Sequence, residues 1–88
     1  MKIKQSKNYR NAFKKLPHNI KIQARKRVEL FIQDRKQPLL KDHALQGNLK
    51  GSRSFSVTGD YRIIYEEVED GIVFLFLNIG KHGQDIYR

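Results

Sequence analysis

The chain is 88 residues long, which allows one domain with one hydrophobic core of modest stability. It has no cysteine, no apolar run near the ~20 residues that span a bilayer and no signal-peptide pattern, so we expect a soluble, cytoplasmic protein without disulfides or thiolate metal sites. The net charge is +9, and residues 1–36 hold 12 basic and 2 acidic side chains against 6 and 7 in residues 37–88. This asymmetry favours a polyanionic partner, either nucleic acid or an acidic protein segment, over a basic face that merely aids solubility.

The first half of the chain has the pattern of a short strand followed by two amphipathic helices. Residues 1–5 predict the strand, and Ser6 is suited to be the N-cap of a first helix. Pro17 ends that helix and opens a second one over residues 17–35, which Pro38 stops. Apolar residues that recur at helical spacing should form the buried stripe of this hairpin. The expected stripe consists of Tyr9, Phe13, Leu16, Ile20, Ala24, Val28 and Phe31.

The second half of the chain changes to the period of β-strands. Residues 54–58 alternate between apolar and small polar side chains, which predicts a strand followed by a turn. A second strand is predicted over residues 61–68 and a third, almost wholly apolar, over residues 72–79. Asp70-Gly71 favours a type I′ hairpin turn between these two strands. Gly80 is expected to end the third strand and to release a polar tail.

The predicted order is β-α-α-β-β-β, an α+β fold in which an antiparallel sheet carries the N-terminal helical hairpin on one face. No repeat, linker or low-complexity tract interrupts the pattern, so residues 1–88 are expected to form a single domain. The opposite face of the sheet should present alternate strand residues as a shallow surface. On the second strand, Arg62 and Ile64 belong to one face, and Tyr61 and Ile63 belong to the other.

Metal and covalent chemistry find little support in the sequence. The three histidines lie far apart, and motifs for serine or cysteine nucleophiles and for glycine-rich phosphate loops are absent. We therefore expect no metal and no cofactor. A polar, basic and aromatic set remains around the predicted sheet. It consists of His43, Lys50, Arg53, Asp60, Tyr61, Arg62, His82 and Tyr87.

These residue types match the requirements of metal-free RNA cleavage. A base removes the proton of a 2′-hydroxyl, a cation offsets charge on the phosphate, and an acid protonates the departing 5′-oxygen. Histidine, with a pKa of about 6.5, suits either proton-transfer role, and aromatic rings can stack on unpaired bases. Each residue also has a structural interpretation, since Asp60 suits a turn, Tyr87 suits packing and an isolated histidine is commonly a solvated residue. Arg62, inside a strand and beside two isoleucines, must face solvent, a partner or a substrate.

Three segments resemble toxins of the RelE/ParE superfamily. Residues 41–53, KDHALQGNLKGSR, resemble the "DH-L-G-KG-R" segment of YafQ-like toxins. Residues 54–65, SFSVTGDYRIIY, resemble the two-strand segment of RelE/ParE toxins, which ends in a "YR-hydrophobic-hydrophobic-Y" pattern. Residues 80–82 (GKH) and 86–88 (IYR) resemble the C-terminal ending of these toxins. The similarity spans essentially the whole chain, and its central motif is more specific than its helical hairpin.

The resemblance implies a RelE-like, microbial-RNase-like fold and, for the RelE and YafQ branches, ribosome-dependent cleavage of mRNA in the ribosomal A site. The catalytic residues that it implies are His43, Asp60, Arg62, His82 and Tyr87. Arg62 matches the arginine that stabilises the scissile phosphate, and His43 is preferred as general base with His82 as general acid, the reverse assignment being the alternative. The substrate-binding residues that we expect are Lys50, Arg53, Tyr61 and Lys81, with Tyr61 where the YafQ branch has a tryptophan.

Two departures from the family pattern keep other functions open. Ser54 and Ser56 stand where RelE has two lysines, and Ser56 also replaces a second histidine of the YafQ branch. The interval from His82 to Tyr87 is one residue longer than in YafQ. One alternative is a ParE-like inhibitor of DNA gyrase, and another is a degenerate, non-catalytic toxin that acts only as an antitoxin-binding corepressor. The fold cannot decide between these functions, whereas the presence of both histidines and the terminal tyrosine favours the nuclease.

All three functions imply a cognate acidic antitoxin as partner. The nuclease also implies the ribosome and mRNA, with operator DNA contacted only through the antitoxin and no membrane involved. The nuclease hypothesis makes one spatial demand. Folding must gather Arg62, His82 and Tyr87, with His43 nearby, in a single positively charged groove that is open to solvent.

Overall fold

The computed structural model describes residues 1–83, and its helices and strands follow the predicted order. The elements in chain order are β1 (Lys2–Gln5), α1 (Lys7–Lys14), α2 (His18–Gln33), β2 (His43–Ala44), β3 (Arg53–Ser56), β4 (Tyr61–Glu69) and β5 (Val73–Lys81). Short 3-10 turns at Pro38–Leu40 and Gly47–Leu49 flank β2. The α+β fold is thereby confirmed, with the two-residue strand β2 as an addition. Within this range no helix is both long enough and apolar enough to cross a bilayer.

The five strands form one sheet in the order β1-β5-β4-β3-β2. β1 pairs with β5 in parallel, and the other neighbours are antiparallel. The predicted meander is therefore the centre of the sheet, with β1 added at one edge and β2 at the other. The helical hairpin connects these two edges, because α1 follows β1 and the segment after α2 leads into β2.

Local side-chain hydrogen bonds set the ends of the helices. The Ser6 hydroxyl accepts a hydrogen bond from Tyr9 N at 2.9 Å and donates to the Leu77 carbonyl at 2.9 Å, so it caps α1 and ties it to β5. The predicted helix over residues 17–35 ends earlier, at Gln33, because Asp34 adopts an extended backbone. Its carboxylate accepts from Lys36 N at 3.0 Å, a local turn that competes with helix.

Phe31 of α2 lies at the centre of the hydrophobic core. It is fully buried, and its ring centroid lies 4.7 Å from that of Phe55, 4.9 Å from Tyr65 and 5.4 Å from Phe74. Aromatic pairs of this kind each add about 0.5–1.5 kcal/mol beyond the burial of their area. Every residue of the predicted apolar stripe belongs to this core or packs against it. The helix-facing side of the sheet is thus apolar, which leaves polar strand residues to the opposite face.

Two details of the β4–β5 hairpin differ from the prediction. The turn is not type I′, because Asp70 keeps a negative φ and only Gly71 is left-handed, at φ +70°. A β-bulge before the turn, between Glu67 and Glu69, changes the register with which the two strands reach it. In addition, β5 does not end at Gly80, because Gly80 pairs with Arg62 at the start of β4.

Candidate active site

Arg62 lies on β4, the central strand of the sheet, between Ser56 of β3 and Gly80 of β5. Its neighbours Tyr61 and Ile63 contact the hydrophobic core. Because successive side chains on a strand alternate, Arg62 points to the face away from the helices, as the sequence predicts. This placement brings a guanidinium group to the middle of the candidate surface.

Arg62 is held by neutral groups of the protein. Its Nε donates to the Ser54 hydroxyl at 2.6 Å, and its Nη2 donates to the Ser54 carbonyl at 3.2 Å and to the Lys41 carbonyl at 3.0 Å. Arg62 is only 9 % exposed, so little of it faces solvent, and the expectation that it faces a partner or a substrate stays a prediction. The salt bridges within residues 1–83 do not include it, and none of these acceptors neutralises its charge. The guanidinium therefore keeps a full positive charge just beneath the surface.

The Lys41 carbonyl accepts two hydrogen bonds and so connects two candidate residues. One comes from Arg62 Nη2, and the other partner is His43 Nδ1, also at 3.0 Å. Lys41 has φ +48° and ψ 42°, the left-handed region, and among residues 1–83 it is the one non-glycine residue with positive φ. This conformation costs about 1–2 kcal/mol, and strain of this kind is concentrated at functional sites.

The hydrogen bonds around His43 favour one tautomer of its ring. Nδ1 lies 3.0 Å from the Lys41 carbonyl and 3.2 Å from Arg62 Nη2. The two hydrogens of Nη2 are already directed at the carbonyls of Lys41 and Ser54, so Nδ1 is better placed to donate to Lys41 than to accept from Arg62. A proton on Nδ1 leaves the lone pair on Nε2, and the residue is exposed. This arrangement gives His43 the form of a general base.

Asp42 anchors the segment that carries Lys41 and His43. Its side chain is 11 % exposed, and it accepts from Arg53 Nε at 2.8 Å and, in a short hydrogen bond, from the Tyr65 hydroxyl. Burial, together with the hydrogen bond to the Asp42 carboxylate, raises the pKa of Tyr65 to about 12. Partial burial acts to lower the pKa of Arg53, but the hydrogen bond to Asp42 and its negative charge outweigh this effect. The pKa of Arg53 is therefore raised above its ordinary value. Arg53, expected to bind substrate, is thus tied to the fold through Asp42.

A second group of predicted residues lies where β4 begins and β5 ends. His82 N donates to the Asp60 carbonyl at 2.5 Å, and Lys81 pairs with Tyr61, so the backbone holds these four residues together. Asp60, Lys81 and His82 are exposed. The ring of Tyr61 packs partly against the core, which leaves only part of it for stacking on a base.

The structure brings some of the predicted residues together. His43 and Arg62 are in direct contact, and Arg62 pairs across the sheet with Gly80, two residues before His82. Lys50 is exposed and follows the 3-10 turn at Gly47–Leu49. Tyr87 lies outside the described residues. Of the residues that the sequence hypothesis requires in one groove, His43 and Arg62 are therefore in contact, and the groove and the catalytic roles stay predictions.

Comparison with protein families decides the relationship. The chain matches the family described as "Bacterial toxin of type II toxin-antitoxin system, YafQ" over residues 1–86. The chain belongs to the YafQ toxin family. The predicted membership of the RelE/YafQ-like superfamily is thereby confirmed. A search of curated proteins gives no significant match.

Solved structures agree with membership of the YafQ family. YafQ from E. coli strain BL21(DE3) superposes with a TM-score of 0.75 at 24 % identity, covering 91 % of each chain. YafQ in the E. coli DinJ-YafQ toxin-antitoxin complex superposes with a TM-score of 0.72 at 27 % identity, covering 91 % of this chain and 90 % of that one. Archaeal RelE in the RelE-RelB complex from Pyrococcus horikoshii has a TM-score of 0.73 at 20 % identity, covering 94 % and 96 %. The RelE-like fold is therefore confirmed.

Three residues at the site of this YafQ-family toxin were not predicted from its sequence. Lys41 and Ser54 contribute backbone carbonyls, and an acceptor that every residue possesses leaves no mark in a sequence. Asp42 carried a usable signal, because it directly precedes the predicted catalytic His43 and is the one acidic residue of residues 35–59. A lone carboxylate in a basic segment is a candidate for a specific hydrogen-bonding role.

Proposed function

We propose that this YafQ-family toxin is a ribosome-dependent mRNA endonuclease that cuts by metal-independent attack of a 2′-hydroxyl on the adjacent phosphate. The observation that carries the proposal is the contact between His43 and Arg62. An exposed imidazole with a free Nε2 lies beside a guanidinium whose charge is bound only by neutral acceptors. A buried cation costs free energy unless it is paired with an anion, and a substrate phosphate would supply that anion.

The proposed reaction assigns each proton to a residue. His43 Nε2 takes the proton of the 2′-hydroxyl as that oxygen bonds to phosphorus, and the charge of Arg62 stabilises the phosphoryl oxygens. The bond from phosphorus to the 5′-oxygen breaks, and His82 donates a proton to this leaving oxygen. The products are a 2′,3′-cyclic phosphate and a free 5′-hydroxyl. Asp60, which holds His82 through its backbone carbonyl, positions the acid.

The charge distribution supports the ribosome as the place of action. The +9 net charge and the basic helices suit an rRNA surface, and binding through several phosphates predicts a steep loss of affinity with salt. The antitoxin complexes of E. coli YafQ and of archaeal RelE support a cognate antitoxin for this chain as well. We propose an acidic antitoxin segment that covers the basic helices, with operator DNA contacted through the antitoxin.

The test is primer extension on ribosome-bound mRNA with the purified toxin and single variants. His43→Ala should lower the cleavage rate by about 10²–10⁴-fold, the range for loss of a general base. His18→Ala is the matched control, since His18 is an exposed histidine at the start of α2 and should leave the rate unchanged. Arg62→Lys keeps the charge and tests the guanidinium where Arg62→Ala is too unstable to fold.

Three results would contradict the proposal. Full cleavage by both the His43 and the Arg62 variants would show that the catalytic site lies elsewhere. Gyrase-trapped DNA breaks without RNA cleavage would identify a ParE-like inhibitor. Harmless expression without antitoxin, together with an intact fold, would identify the non-catalytic corepressor.

A further inference from the structure

A cavity beside the candidate site is lined mainly by basic residues. It has a volume of about 400 Å³ and lies where the segment after α2 meets β2 and β3. We call it the basic pocket. The polar residues that line it are Arg35, Lys36, Gln37, Lys41, Asp42 and Arg53.

The charges of the basic pocket do not cancel. Among residues 1–83, Asp42 is the only carboxylate that lines it, and that group accepts from Arg53 and from a tyrosine hydroxyl. Arg35 pairs with Glu67 at 3.0 Å. Lys36 and Lys41 are exposed and take part in neither of the salt bridges formed within residues 1–83. Two lysines therefore line one cavity without an anionic partner among these residues, and an anion there would offset their positive charge.

The basic pocket adjoins the proposed catalytic pair. Lys41 lines the pocket, and its carbonyl accepts from Arg62 and lies 3.0 Å from His43 Nδ1. We propose that the basic pocket binds a phosphodiester group of RNA next to the one held at Arg62 and His43. This inference rests on the proposed function, which it extends from a single cleaved bond to a longer contact with an RNA backbone. The strand could be mRNA itself or neighbouring rRNA, since both present the same phosphodiester.

An acidic protein segment is the competing occupant, and two features favour RNA over it. The strained left-handed backbone at Lys41 fixes the pocket and the catalytic pair to one another, as is needed if one ligand spans both. The two lysines also come from separate turns, on either side of Pro38–Leu40, and converge on one cavity rather than form an extended stripe. Lysine is a point-charge donor that suits a phosphate group.

The test is the double variant Lys36→Gln/Lys41→Gln, which removes two charges and leaves the backbone unchanged. Lys2→Gln/Lys4→Gln is the matched control, because it removes two exposed lysines from β1, the far edge of the sheet. Fluorescence anisotropy measures binding of a 2′-O-methyl RNA oligonucleotide, which lacks the attacking hydroxyl, at several salt concentrations. A second series measures binding to ribosomes without mRNA. Thermal unfolding of both double variants checks that the fold is intact.

If the basic pocket holds mRNA, the pocket variant binds the oligonucleotide several-fold more weakly, and the slope of log K against log salt becomes about 0.7 less negative for the one lost phosphate. If it holds rRNA, the same loss appears with vacant ribosomes and not with the oligonucleotide. Either result supports the proposal, provided that the β1 variant changes less. In cleavage assays the pocket variant should raise KM and leave kcat unchanged, since the contact exists before and during the reaction.

Unchanged binding in both series overturns the proposal. Weaker binding of a hexaglutamate peptide alone assigns the pocket to an acidic protein segment and also overturns it. These readouts do not depend on cleavage. A toxin that cuts no RNA but loses RNA affinity in the pocket variant contradicts the proposed function and leaves the basic pocket established.

Discussion

Removal of the Asp42 carboxylate should destabilise the toxin chiefly through one tyrosine. Asp42 is 11 % exposed and accepts from both Arg53 and Tyr65. Tyr65 is fully buried in the core, so its hydroxyl has no water to replace Asp42. In Asp42→Ala this hydroxyl loses its acceptor and stays inside the protein.

The expected cost follows from the burial of each partner. An orphaned buried hydroxyl costs about 1–3 kcal/mol. The Arg53 side chain is 35 % exposed, so loss of its ion pair adds at most about 1 kcal/mol. Asp42→Ala should therefore lower the free energy of unfolding by about 1–4 kcal/mol. The Tyr65→Phe variant has no hydroxyl that could lose its acceptor. In this background Asp42→Ala should therefore lower the free energy of unfolding by at most about 1 kcal/mol.

Urea unfolding of the four chains of this double-mutant cycle measures the effect. Asp60→Ala removes an exposed carboxylate and serves as the control, with an expected change within about 0.5 kcal/mol. Asp42→Asn keeps one acceptor and replaces the alanine variant if that chain is too unstable to measure. An equal cost of Asp42→Ala in both backgrounds would refute the reasoning, because it would place the destabilisation outside the Asp42–Tyr65 hydrogen bond.

Three further predictions concern single residues. Burial raises the pKa of Tyr9 to about 12, so the folded state keeps a proton that the unfolded chain loses above pH ~10. This contribution, up to about 3 kcal/mol, is present below pH 10 and is lost as the pH rises towards 12. In urea unfolding, the stability of Tyr9→Phe should therefore fall less steeply between pH 10 and pH 12. Ser54→Ala removes the acceptor of Arg62 Nε and should cost about 1.5–3 kcal/mol in urea unfolding as well as lower the cleavage rate; an unchanged midpoint would contradict the observed geometry. Lys41→Gly relieves the left-handed strain and should raise stability by about 0.5–1 kcal/mol while weakening RNA binding, and a loss of stability would show that the lysine side chain contributes to folding.

The sequence predicts the fold well wherever burial alternates with a regular period. Phe31 and Ala24 recur at helical spacing because one side of α2 is dry, and both are fully buried. The strand β2 left no such pattern, since His43 and Ala44 are both exposed and two residues are too few to show a period. The left-handed turn that precedes β2 was equally hidden, because it occurs at a lysine rather than at a glycine.

The candidate site is harder to predict because its geometry depends on groups without a sequence signature. The sequence predicts Arg62 as a site residue from its type and position. It does not predict the two carbonyls and one hydroxyl that bind the buried guanidinium, because these are brought together only by the fold. The contact of His43 with Arg62 joins residues 19 positions apart through β2, the strand that the sequence did not reveal. Pairing of β2 with β3 places His43 opposite Ser54, so one register brings the proposed base next to the serine that anchors the guanidinium.

The two serines that depart from the RelE pattern have structural roles in this chain. Ser54 accepts from Arg62, and the Ser56 hydroxyl donates to the Thr58 carbonyl at 2.7 Å, so neither supplies a charge to a substrate. Without lysines at these positions, the positive charge beneath the candidate surface comes from Arg62. A lysine at position 54 would place a second cation against that guanidinium and remove its acceptor, whereas a serine holds it. The proposed chemistry therefore depends on a single cation that is held by Ser54 on β3 and by the Lys41 carbonyl next to β2.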